Sequence, residues 1–255
     1  MSDTIHILLI ICPLVFLAGF IDAIAGGGGL ISLPAYLAIG LPPHFAAATN
    51  KCSSTFGTLV ATKKFLKSGK VYLPAAIPAA GTALIGSSIG AYLNMILDEK
   101  ILRYIMLGAV PVIAVFLMVK KDFGSKNTTD RFSKMKLIIL SAGIGFTIGV
   151  YDGFFGPGTG TFLIIAFTGI VGFDLLTASG NTKLVNLASN IAAFITFAIG
   201  DKIIWHIGLP AAAFGIAGNY FGASFALTKG KKFIRPMFFV VLAILIIKLI
   251  IDTLR

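Results

Sequence analysis

Two aspartates, two lysines and two glycine-rich breaks are the residues of this chain whose types and spacing can do chemistry. Asp22 stands in Gly19-Phe20-Ile21-Asp22-Ala23-Ile24-Ala25-Gly26-Gly27-Gly28-Gly29-Leu30, between an apolar run and four glycines. Asp152 stands in Gly149-Val150-Tyr151-Asp152-Gly153-Phe154-Phe155-Gly156-Pro157-Gly158-Thr159-Gly160. Glycine costs about 1 kcal/mol per helical residue relative to alanine, so four in succession unwind a helix. In lipid, unwound backbone survives only where protein buries it or it lines a cavity. An isolated acid at that depth costs several kcal/mol unless it is paired, hydrated or protonated. Break and acid together therefore read as a site. Lys51, in Ala48-Thr49-Asn50-Lys51, and Lys183, in Ser179-Gly180-Asn181-Thr182-Lys183, lie inside further apolar segments. Beside Asn50 and Asn181 they could grip an oxyanion through charge-assisted hydrogen bonds, or they could pair with the two acids. As anion grips, either lysine truncated to alanine is expected to weaken affinity with the fold intact.

The amides opening the segments after the breaks, at Leu30-Ile31 and Thr161-Phe162, carry partial positive charge that favours an anion. The candidate substrate-binding set is thus Gly27, Gly28, Gly29, Leu30, Asn50, Lys51, Gly158, Thr159, Gly160, Asn181 and Lys183. Asp22 and Asp152 are the proton-coupling candidates, being the acids inside apolar segments and beside a break.

These residues recur because the chain does. Gly19, Asp22, Gly26 and Gly28 match Gly149, Asp152, Gly156 and Gly158 at an offset of 130. Asn50 matches Asn181 and Gly69 matches Gly200 at 131; Gly86-x-x-x-Gly90 matches Gly218-x-x-x-Gly222 at 132. One unit has been duplicated with small insertions. The two lysines fall one residue out of register.

Composition sets the class. Over 255 residues, 57% are hydrophobic and only 12% charged, with mean hydropathy +0.96. Soluble chains carry about 25% charged residues, so this is a membrane protein. The net charge of +11 would suggest nucleic acid in a soluble chain; here it marks cytoplasmic loops. Cys12 and Cys52 lie in apolar surroundings and suggest neither disulfide nor metal site. A basic n-region is absent from the N-terminal apolar run, so no removable signal is expected.

The elements that position the candidates follow in order. A helix from about Ile5 to Ala25 precedes the first break, and a short piece from Leu30 to Gly40 follows it. Further spans are expected from the turn at Leu41-Pro42-Pro43 to about Phe65, from Val71 to Leu93, and from Ile101 to Val119. The second half repeats the order: Leu137 to Phe155, a short piece from Thr161 to Ile170, then Asp174 to Ile199, Ile203 to Leu227 and Phe233 to Ile251. The expected organisation is a transmembrane repeat at 1–120, a basic cytoplasmic linker at 121–136 and a second transmembrane repeat at 137–255.

Charge orients these spans. Four basic residues sit in Lys63–Lys70, six in Lys120–Lys136 and four in Lys229–Arg235. By the positive-inside rule those links are cytoplasmic and both termini face out. With each broken element returning to its own side, three net crossings remain per half, and the halves have opposite topology. The expected fold class is an all-α integral membrane protein of two inverted repeats, each a broken helical hairpin at an Asp-Gly motif plus three spanning helices. Inverted repeats with broken helices are the usual build of a secondary transporter.

The paired Asp-then-glycine motifs, the Asn50 and Asn181 helices and the duplicated layout resemble the sulfite exporter TauE/SafE family of anion permeases, over nearly the whole chain. The resemblance implies an eight-helix protein of a prokaryotic cytoplasmic membrane. It further implies a permease that moves sulfite, an organosulfonate or a related anion. The expected partners are that anion and the lipid bilayer, without nucleic acid or cofactor, with a homo-oligomer left open; a passive anion channel is the alternative function. An intramembrane enzyme is a third class. Ser224, in Gly222-Ala223-Ser224-Phe225, has no base beside it in sequence, His6, His44 and His206 lack ligand spacing, and the glycine run lacks the Lys-Ser/Thr ending of a phosphate loop. Asn186 and Asn190 suit helix contacts as well as substrate, Asp174 reads as an N-cap, and His44, His206 and Trp205 lie near span ends.

Overall fold

The structure, a computed structural model, describes residues 2–101 and 127–229. The expected span 233–251, all but the first residue of the span 101–119, and residues 121–126 of the linker fall outside the described residues.

Within them the chain is helical. Helix α1 (Ser2–Ala25) stops at the glycines, and α2 (Gly29–Ala38) restarts past them; α3 (Pro43–Lys67) and α4 (Leu73–Ile96) follow. A short 3-10 turn (Thr129–Arg131) leads into α5 (Lys134–Phe154). The second break then separates α5 from α6 (Thr159–Ala166), which ends in a π-turn (Phe167–Val171). The described part closes with α7 (Leu175–Ile199) and α8 (Trp205–Lys229). Asp174 caps α7 as its type demands: its Oδ1 accepts the amides of Leu176 at 3.1 Å and Thr177 at 3.3 Å.

Four of these helices are long and apolar enough to cross a bilayer: Thr4–Ala25, Leu73–Ile96, Lys134–Phe154 and Leu175–Ile199. Helices α3 and α8 have the same length as α7, 25 residues each. Helix α3 is more polar because it carries a buried line that includes Thr49, Asn50, Lys51, Ser53, Thr58 and Thr62.

Packing interlocks the halves. Helix α1 lies on α8, α5 lies on α4, and α3 meets α7 between them. Matched elements thus make matched contacts, each with the other half. The spacing Gly86-x-x-x-Gly90 works as its sequence suggests. A Cβ on Gly86 would stand 3.0 Å from the Val150 amide, and one on Gly90 would stand 2.7 Å from that of Phe154. His44 departs from the interfacial place expected of it. It is buried, with Nδ1 3.2 Å from Asn94 Oδ1, while the Asn94 amide donates to the Phe154 carbonyl at 2.7 Å.

Candidate functional site: a polar cavity between two helix breaks

The two breaks touch each other. Gly26 turns the chain out of α1 at φ +77°, and its carbonyl accepts the Thr161 amide at 3.2 Å. The Thr161 hydroxyl donates to the Ala25 carbonyl at 3.0 Å. So the start of α6 satisfies carbonyls that the end of α1 leaves open, which is what unwound backbone at this depth requires.

That arrangement corrects the expectation for the amides after the breaks. Leu30 N–H is bonded to the Gly27 carbonyl at 3.1 Å, Ile31 N–H to that of Gly28 at 2.9 Å, and Phe162 N–H to that of Gly158 at 2.9 Å. Thr161 is taken by Gly26. Each helix begins a residue or two earlier than the sequence suggests, so its first turn closes over these groups. Gly29 and Gly160, the first residue of α2 and the second of α6, are among the glycines of the breaks for which no backbone bond of this kind is found among the described residues.

Both acids sit near the C-terminal end of their helices, where the dipole disfavours negative charge. A lysine from the other half compensates each. Lys51 Nζ of α3 lies 2.7 Å from Asp152 Oδ1, and Lys183 Nζ of α7 lies 3.0 Å from Asp22 Oδ2. Lys183 also donates to the Asp22 backbone carbonyl, placing an ammonium on the last turn of α1. The sequence left the lysines between gripping an anion and pairing with the acids; the structure pairs both.

The two pairs are not equal. Asp152 is 2% exposed and also accepts the Ser189 hydroxyl at 2.5 Å. Asp22 is 15% exposed; besides Lys183 it receives only a long contact from the Gly28 amide at 3.4 Å. Asp152 is committed, whereas Asp22 is open on one side. Lys51 spends one N–H on Asp152 and one on Asn190 Oδ1 at 2.9 Å. An ammonium has three, so one remains.

Around these groups lies a cavity of about 40 Å³. Of the expected substrate set, Gly28, Gly29, Asn50, Lys51, Thr159 and Gly160 line it, together with both coupling candidates, Asp22 and Asp152. Gly27, Leu30, Gly158, Asn181 and Lys183 do not. Asn181 is fully buried elsewhere, its Oδ1 accepting the Tyr72 amide at the start of α4 at 2.7 Å, and Lys183 lies wholly behind Asp22. Asn186 and Asn190 line the cavity from α7, as does Asn219 from α8. Asn219 was not singled out in the sequence; its signal was a polar residue directly after Gly218 of the close-packing pair. Ser224 does gain a lysine partner, Lys64, which donates to its hydroxyl and to the Tyr220 carbonyl and sits 3.2 Å over the Tyr220 ring.

The sulfite exporter TauE/SafE family profile matches residues 11–249. The chain belongs to that family. Relatives run nearly end to end with it. A probable membrane transporter protein of Haemophilus influenzae is 35% identical over 252 residues, covering 99% of this chain and 98% of that protein. The probable membrane transporter protein ORF9 of a Sinorhizobium species is 35% identical over 97% of this chain and 94% of its own length. The probable membrane transporter protein YfcA of Escherichia coli K12 is 34% identical over 98% and 95%. No solved structure matches. This TauE/SafE chain is therefore a multi-pass membrane protein of a transporter family.

Proposed function

We propose that the protein is a secondary transporter of a small sulfur-containing oxyanion, with sulfite as the model cargo, in the cytoplasmic membrane of a prokaryote. The observation that carries this reading is the cavity where the two breaks meet. Residues that carry donors line it: Lys51, with one N–H left after Asp152 and Asn190, Asn186, Gly29 and Gly160. Its size suits a compact anion. About 40 Å³ holds roughly three waters, which sulfite matches and a long organosulfonate exceeds in this conformation.

The inverted-repeat reading is supported by the reciprocal contacts of the halves and by loop charge: basic Lys63–Lys70 corresponds to Asp201-Lys202, and Asp98-Glu99-Lys100 to basic Lys229–Lys232. It makes the two hairpins rock against each other around the cavity. Coupling belongs to the acids, and of the two candidates Asp22 is the one open to the cargo. The two ion pairs at the cavity, with Lys183 lying behind Asp22, cancel in charge. An anion entering alone would be an uncompensated charge in a poorly solvated place, so positive charge enters with it, one for hydrogen sulfite and two for the sulfite dianion.

Two measurements test the reading. In proteoliposomes, sulfite uptake should saturate and show counterflow, with taurine competing at least about tenfold more weakly, a difference near 1.4 kcal/mol; linear, unsaturable flux would make the protein a channel. Single cysteines at Lys67 and Asn127 should both label from the cytoplasmic side. Both termini should label from outside; a cytoplasmic N-terminus, or the same topology in both halves, would remove the inverted repeat.

A further inference from the structure

Asn219 holds a buried acceptor that no other described residue satisfies. The residue is 3% exposed, its Nδ2 donates to the Gly215 carbonyl at 3.0 Å, and its Oδ1 has no partner among the described residues. That bond settles which end is which, because reversing the carboxamide would set oxygen against the Gly215 carbonyl. The side chain is built into its place: a Cβ on Gly19 would stand 2.7 Å from Asn219 Nδ2, and Gly57 of α3 leaves the same room on the other side. Gly19 and Asp22 are three residues apart on α1, neighbours on one helix face. Asn219 and Asp22 both line the cavity. A neutral acceptor without a partner among the described residues and a partly paired carboxylate thus belong to residues that border the same cavity.

We propose that this cavity takes an alkali cation of sodium size, held by the Asn219 carboxamide oxygen and the Asp22 carboxylate, and that the cation enters with the anion. A proton would sit on Asp22 and leave the Asn219 oxygen still unsatisfied. A hard cation uses neutral and charged oxygens together and answers both. Among the described residues no three His, Cys, Asp or Glu gather, so the site suits an alkali ion and not a transition metal. The charge-balance part of this inference rests on reading the cavity as an anion site; the unsatisfied oxygen does not.

The test separates the two. Purified protein is melted in NaCl and in choline chloride at equal ionic strength, without sulfite, and sulfite affinity is then measured in each salt. Sodium should raise the melting temperature saturably and tighten sulfite binding about tenfold. Asn219→Ala should lose both effects, and Asn219→Asp, which keeps an oxygen there, should retain the sodium shift. Sodium stabilisation without sulfite binding would uphold the cation site and remove sulfite as cargo. Identical melting and sulfite affinity in the two salts would overturn the inference, as would a sodium effect undiminished in a folded Asn219→Ala. Sulfite affinity that follows pH but not sodium would overturn it in favour of a proton on Asp22.

Discussion

Asp152→Ala is expected to leave little folded protein. The substitution strands the Lys51 ammonium, 5% exposed, with Asn190 as its remaining acceptor. Removing one partner of a buried pair costs about 3–5 kcal/mol, a large part of the roughly 5–15 kcal/mol that holds a domain together. Lys51→Met should do comparable damage from the other side, leaving Asp152 with only the Ser189 hydroxyl. Joining both changes as Lys51→Met/Asp152→Leu removes the charges together, and such swaps are often neutral. The double variant should recover monodisperse yield and melting temperature in detergent, yet stay without sulfite flux because the third N–H of Lys51 is gone. Single variants that melt like the parent would remove the pair from the structural account. Asp22→Asn should be far milder. Asp22 is partly open, and an asparagine oxygen still accepts from Lys183.

The glycine breaks, the N-cap at Asp174 and the close-packing pair at Gly86 and Gly90 were legible because each depends on its own few residues. The acids and lysines were legible as types but not as partners. Lys51 reaches Asp152 across 101 positions of chain and Lys183 reaches Asp22 across 161, and no local pattern encodes such a meeting. For that reason the sequence leads to an expected loss of affinity on truncating Lys51, and the 2.7 Å pair adds an expected loss of stability. Duplication also misled. It suggested that Asn50 and Asn181 share a role, yet Asn50 lines the cavity and Asn181 bonds to Tyr72. Asn219 went unnoticed because its position matters only once Gly19 and Gly57 converge on it. The repeat predicts which helices correspond; it does not predict which side of each faces the cargo.

Gly26→Ala is the second change with a large expected effect, and it probes the meeting of the breaks directly. At φ +77° an alanine is strained by about 1–3 kcal/mol wherever it stands. Here its Cβ would also lie 2.5 Å from Gly160 Cα and from the Thr161 amide nitrogen. Backbone cannot rotate away as a side chain can, and overpacking of this kind adds about 1–3 kcal/mol. Relief would require α6 to withdraw from α1. That would break the Thr161 bonds to the Ala25 and Gly26 carbonyls and leave unwound backbone unsatisfied. Gly69→Ala supplies the control. It has φ +68°, but nothing stands within 4 Å of its added Cβ, so it feels the strain without the collision. Melted side by side in detergent, Gly69→Ala should lose a few degrees, whereas Gly26→Ala should lose several times as much and carry no sulfite. Equal losses in the two variants would mean that the breaks do not touch at Gly26 and Gly160, and the cavity between them would have to be drawn elsewhere.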